Sequence, residues 1–112
     1  MRQLLLFAVV TSVIAACQRT PEQQRFDQAR SDARERSALI ENQADKEADQ
    51  LQQQAAKLEN EASQAGGMSG KRLKVRAEAL EDEAKIIRKQ ADKQAEAIKE
   101  STDAQIKASE NR

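Results

Sequence analysis

With 112 residues, the chain has room for one domain at most. Nineteen basic groups balance nineteen acidic ones, histidine is absent and cysteine occurs once. That excludes a strong field for nucleic acid, an internal disulfide, and the commonest general base and metal ligand.

Only Phe7 and Phe26 are aromatic, and 34% of residues are charged, so a thick globular core is excluded as well. Such a composition suits long helices and coiled coils. The chain opens on a short positive segment, the amino terminus and Arg2, followed by the apolar run Leu4 to Ala16, interrupted only by Thr11 and Ser12. As a helix that run spans roughly 20 Å, short of the ~30 Å hydrocarbon core of a bilayer. Its length and its small terminal residues predict a signal peptide over 1–16, not a membrane-spanning helix.

Ile14-Ala15-Ala16-Cys17 places a branched aliphatic and two small residues before a cysteine. This motif resembles the lipobox of bacterial lipoproteins, a resemblance that covers only the first 17 residues. It implies cleavage between Ala16 and Cys17, an S-diacylglycerol on Cys17 and an N-acyl chain of the palmitate kind on the new terminus. Each buried methylene contributes about 0.8 kcal/mol, so two or three chains hold where one would not. Gln18 follows the cysteine where an Asp would retain an enterobacterial lipoprotein. The resemblance therefore implies a cell-envelope location at the periplasmic face of the outer membrane, in preference to the inner membrane.

Residues 17–20 form a short lipid-proximal linker. Thr20-Pro21-Glu22-Gln23 then reads as a helix start, with Thr20 as cap, Pro21 at the first helical position and Gln23 closing a capping box. No Gly or Pro interrupts 21–65, which is the first predicted helix. Gly66-Gly67-Met68-Ser69-Gly70 is the predicted loop, with Gly66 as a left-handed C-cap and Ser69 as the next N-cap. The second helix is predicted over 71–108, leaving 109–112 as a frayed tail.

Apolar residues recur at helical spacing in both halves: Ala29, Ala33, Ile40, Ala44, Ala48, Leu51, Ala55, Leu58, Ala62 and Ala65, then Leu73, Ala77, Leu80, Ala84, Ile87, Ala91, Ala95, Ile98 and Ile106, with Thr102 in the series. The spacing is heptad-like near the glycines and closer to an eleven-residue period further out. An all-α fold follows, two long antiparallel helices forming a coiled-coil hairpin. Pairing residues whose numbers sum to 138 or 139 sets Leu58 beside Leu80, Leu51 beside Ile87 and Ala62 beside Ala77, with the mirror centre near Ser69. Charge agrees, since 41–62 carries a net −4 and 71–93 a net +3. With alanine-rich layers the isolated hairpin is expected to be marginal, which predicts self-association or partial disorder until a partner docks. Val75, Ala79, Ile86, Ala97 and Ala104 lie off the main stripe, as scattered residues or a second contact face.

Candidate chemistry is thin. Gly66, Gly70 and Lys71 suggest a phosphate-binding loop, but the glycine gap is three, Arg72 follows the lysine and a helix precedes. Lys71, Arg72, Lys74 and Arg76 form a basic cluster that is either compensated by Glu59 and Glu61 across the hairpin or presented to an anionic partner such as peptidoglycan or lipopolysaccharide. Glu81-Asp82-Glu83 diverge by about 100° per residue and form a solvated face, not a cation site. No catalytic, metal or cofactor constellation is recognisable, which predicts a non-enzyme.

The leading expectation is a membrane-anchored lipoprotein with a non-catalytic structural or interaction role. In general form it resembles small helical envelope lipoproteins of the murein-lipoprotein kind. It departs from them in its glycine break and in ending Glu110-Asn111-Arg112, not in lysine, which argues against covalent attachment to peptidoglycan in their manner. Alternatives are an adaptor or inhibitor module acting on an envelope or periplasmic protein, and a stress-protective, partly disordered chain resembling desiccation-response proteins with eleven-residue repeats.

Overall fold

The computed structural model describes residues 20–112; the signal peptide expected over 1–16, the expected cleavage pair Ala16 and Cys17 and most of the expected 17–20 linker lie outside the described residues. Two helices make up the fold, α1 (Pro21–Ala65) and α2 (Gly67–Glu110). They pack against each other as an antiparallel hairpin. At ~1.5 Å per residue, each helix is about 67 Å long.

The start of α1 follows its sequence signal. Gln23 N–H donates to Thr20 Oγ1 at 3.2 Å, and Thr20 N–H donates back to Gln23 Oε1 at 3.3 Å, with Pro21 in the first turn. Both orphan donors are satisfied by this capping box.

The turn is tighter than expected. Helix α2 begins at Gly67, not at 71, so Gly66 alone separates the helices and Ser69 lies inside α2 instead of capping it. Gly66 has φ 59° and ψ 178°, an extended left-handed conformation open essentially to glycine, and not the helical left-handed cap expected. Its N–H donates to Ala62 O at 3.1 Å and its carbonyl accepts from Gly70 N–H at 2.9 Å. One residue thus closes the last turn of α1 and opens the first of α2. Gly67 follows at φ 57°, so two successive positive-φ positions turn the chain. At the other end, α2 continues to Glu110, two residues past the expected 108.

A one-residue turn moves the mirror centre from Ser69 to Gly66 and corrects the register. Two close approaches fix it. Ser37 Oγ lies 3.3 Å from the Ala95 carbonyl oxygen, and a Cβ placed on Gly70 would stand 2.6 Å from the Ala62 carbonyl oxygen. Both pairs sum to 132, not 138 or 139. Counting outward along both helices gives the layers Ala62/Gly70, Leu58/Leu73, Ala55/Ala77, Leu51/Leu80, Ala48/Ala84, Ala44/Ile87, Ile40/Ala91, Ser37/Ala95, Ala33/Ile98, Ala29/Thr102 and Phe26/Ile106. Each of these residues is buried or half-buried.

The layer contents explain how so little apolar mass holds two helices. Near the tip, alanine layers alternate with leucine layers, and Ala48, Ala55, Ala77 and Ala84 are 0% exposed. Alanine lets the backbones approach, and the leucines above and below fill the wider gaps. Further out, a large residue meets a small one, as in Ala44/Ile87 and Ile40/Ala91, which holds the separation even.

Both stripes switch from a 3-4 to a 4-4-3 spacing at nearly the same level, so they stay in phase over the whole length. Ala65, expected in the first stripe, is exposed because the turn begins there. Ser37 and Phe26 take places that the apolar series left open.

Candidate functional site

The tip of the hairpin carries the basic cluster singled out from the sequence. Its local build follows from the turn. Gly66, Gly67 and Gly70 present no side chains, and Gly70 packs its backbone on Ala62. This leaves an open depression of about 660 Å³ lined by Glu59, Ala62, Ser63, Gly66, Gly67, Gly70, Lys71 and Lys74. The first turn of α2 has no side-chain cap and no acidic residue. Its leading N–H groups therefore add positive potential to that of the two lysines.

The four basic residues do not act as one cluster. Lys71 and Lys74, three apart on the helix, share the tip depression with Ser63 and Glu59. Arg76 lies on the other flank, beside Glu61, Lys57, Leu58 and Leu80. Arg72 borders neither and projects from the outer face of α2. All four are exposed.

Glu59 and Glu61 stand on the same flanks as the expected compensation requires. Yet among the described residues, no ion pair within 4.0 Å joins either to the basic four. The Ser63 hydroxyl is engaged with the Glu59 carbonyl at 3.1 Å. What converges at the tip is thus two ammonium groups and one carboxylate around a shallow, open surface.

The interhelical charge contacts lie lower on the shaft. Arg88 donates from Nη2 to Asp49 Oδ1 at 2.9 Å, and its Nε lies 3.5 Å from Asp45 Oδ1. Asp45 and Asp49, one turn apart, form a fork for a single guanidinium, with Gln52 Oε1 at 3.5 Å. Nearer the base, Arg30 Nε lies 3.8 Å from Asp103 Oδ1. The opposite net charges of 41–62 and 71–93 anticipated contacts of this kind, but not which arginine makes them. Among the described residues, no group of three or more Asp, Glu or Cys side chains converges as a metal site, and Glu81, Asp82 and Glu83 fan out along α2.

No family model matches the chain, and no curated protein or solved structure matches it either. Among the described residues, no helix is long and apolar enough to cross a membrane.

Proposed function

We propose that the protein is a membrane-anchored bacterial lipoprotein whose helical hairpin serves a non-catalytic structural or interaction role in the cell envelope. The observation that carries this reading is the Ile14-Ala15-Ala16-Cys17 motif directly behind a thirteen-residue apolar run. Cleavage before Cys17 and acylation of that cysteine leave a four-residue linker and then a rod. The preferred location is the periplasmic face of the outer membrane, given Gln18 after the cysteine.

The hairpin supports a role as spacer or contact surface, because both helices are spent on packing against each other. From the anchor its tip reaches about 67 Å into the periplasm. Mass spectrometry of the mature N-terminus is the test. Triacylated Cys17 is expected, and an unmodified cysteine removes the anchor from this reading.

A second reading is an adaptor that offers its tip to an anionic partner, a peptidoglycan or lipopolysaccharide group or an acidic protein surface. It is favoured by Lys71 and Lys74 bordering one depression at an uncapped helix start. Lys71→Glu with Lys74→Glu abolishes envelope crosslinks from the tip under this reading. Under the structural reading it leaves the crosslinking pattern unchanged.

A further inference from the structure

Of the large apolar side chains exposed among the described residues, Leu39 stands alone on α1, whereas Met68, Val75 and Ile86 all belong to α2, at 68, 66 and 53% exposure. They are not scattered. Met68, Arg72, Val75, Ala79, Asp82 and Ile86 follow one another at spacings of 4-3-4-3-4, a second stripe on the face opposite the one that packs on α1. All six are exposed. Before Met68 lies the turn, and beyond Ile86 the stripe continues with Lys89 and Lys93, so the apolar segment has two defined ends.

The order of residues in this stripe is self-complementary. Laid antiparallel on itself about the level of Ala77, it sets Met68 against Ile86, Arg72 against Asp82 and Val75 against Ala79, and each pairing occurs twice. Laid parallel on itself, it sets Arg72 on Arg72 and Asp82 on Asp82, and like charges at such positions destabilise. Neither Arg72 nor Asp82 has an ion-pair partner within the hairpin among the described residues.

We infer that the outer face of α2 between Met68 and Ile86 binds a second copy of this chain, antiparallel, with a twofold axis near Ala77. The contact is isologous, so it closes as a dimer. The overlap is short, about 27 Å. Arg76 and Glu78 each approach their own symmetry mates beside the axis, which keeps the equilibrium weak and concentration-dependent. This deepens the interaction role proposed above but uses no residue outside α2, so it stands whether or not Cys17 is acylated. If Cys17 is the anchor, the two anchored ends lie about 100 Å apart and point away from each other, so the pair forms between copies held on two facing surfaces and not between neighbours on one outer-membrane leaflet.

Sedimentation of the full chain in detergent tests the dimer, with circular dichroism showing that each variant keeps the hairpin. Arg72→Asp and Asp82→Arg, each alone, place like charges together and should weaken association by about tenfold or more, and the double variant should restore it to within about threefold. For orientation, a nitroxide at Lys89 in a Cys17→Ser background should report roughly 36 Å between copies, against under about 20 Å for a parallel pair. A chain that stays monomeric at high micromolar concentration, a dimer indifferent to the single reversals, or a short distance overturns the proposal. Failure of acylation at Cys17 changes none of these readouts.

Discussion

The Ser37 hydroxyl reaches across the hairpin to within 3.3 Å of the Ala95 carbonyl oxygen while donating to Ala33 O on its own helix at 2.7 Å. Ser37 is the one buried polar side chain among the described residues, at 2% exposure, and it sits where alanine occupies most neighbouring layers. Small size, more than polarity, is what the layer requires. Both carbonyls already serve as acceptors in their own helices, so removing the hydroxyl orphans nothing.

Ser37→Ala should therefore change stability by less than about 1 kcal/mol, because the lost hydrogen bond is offset by better helix propensity. Ser37→Leu should cost about 1–3 kcal/mol by forcing the helices apart. Thermal melts followed at 222 nm measure both, and a costly alanine variant would show that the interhelical hydroxyl contact matters in its own right.

At the tip, Gly70→Ala should be among the most damaging single methyl additions in the chain. Its Cβ would stand 2.6 Å from a backbone oxygen, which cannot rotate away. Gly66→Ala meets open space, so its cost is backbone strain alone, about 1–3 kcal/mol at such a φ/ψ. Chemical denaturation of the two variants ranks them. If Gly70→Ala is the milder, the helices are not as close at the tip as the Ala62 contact requires.

The register is testable by exchange of volume. Ile40 faces Ala91, so Ile40→Ala should cost about 2–5 kcal/mol and Ala91→Ile should strain the layer. Combined, the two should recover at least 1 kcal/mol relative to the sum of their separate costs, the coupling expected of contacting residues. A double variant that is merely additive would point to the alternative pairing, in which Ile40 meets Ile98.

Arg88 between Asp45 and Asp49 is the best-formed ion-pair fork among the described residues, but it is more than a third solvent-exposed. Arg88→Ala should cost no more than about 1 kcal/mol, and that cost should shrink at high salt. A larger, salt-independent loss would mean that the arginine's aliphatic stem packs the Ile87 layer.

Much of this fold was readable from the residues, and the reasons for the misses are physical. The α2 stripe from Leu73 to Ile106 was complete in the sequence because its residues keep helical spacing, with Thr102 bridging Ile98 and Ile106. The α1 stripe missed Ser37 because hydrophobicity alone does not mark a site that selects for size. The seven-residue gap between Ala33 and Ile40 was the available signal.

The pairing was displaced because five glycine-rich residues read as a loop, whereas two positive-φ glycines suffice to reverse the chain. Both registers match large with large near the tip, so composition could not separate them. At the candidate site, the sequence grouped four basic residues by proximity along the chain. Helical geometry divides them, with Lys71 and Lys74 on one flank, Arg76 on the other and Arg72 on the outer face.

A turn of one residue also sets the order in which the molecule assembles. Ala62 and Gly70 meet across a handful of residues, and each later layer lengthens the closed loop by about two helical turns, one from each helix. Loop-closure entropy grows so slowly, about 0.6 kcal/mol per doubling of length, that the chain can zip from Gly66 toward its base without a large barrier. Phe26 and Ile106 close last and open first. The end where the two helix termini meet is thus the end that frays, and a pull on the start of α1 would unzip the hairpin layer by layer.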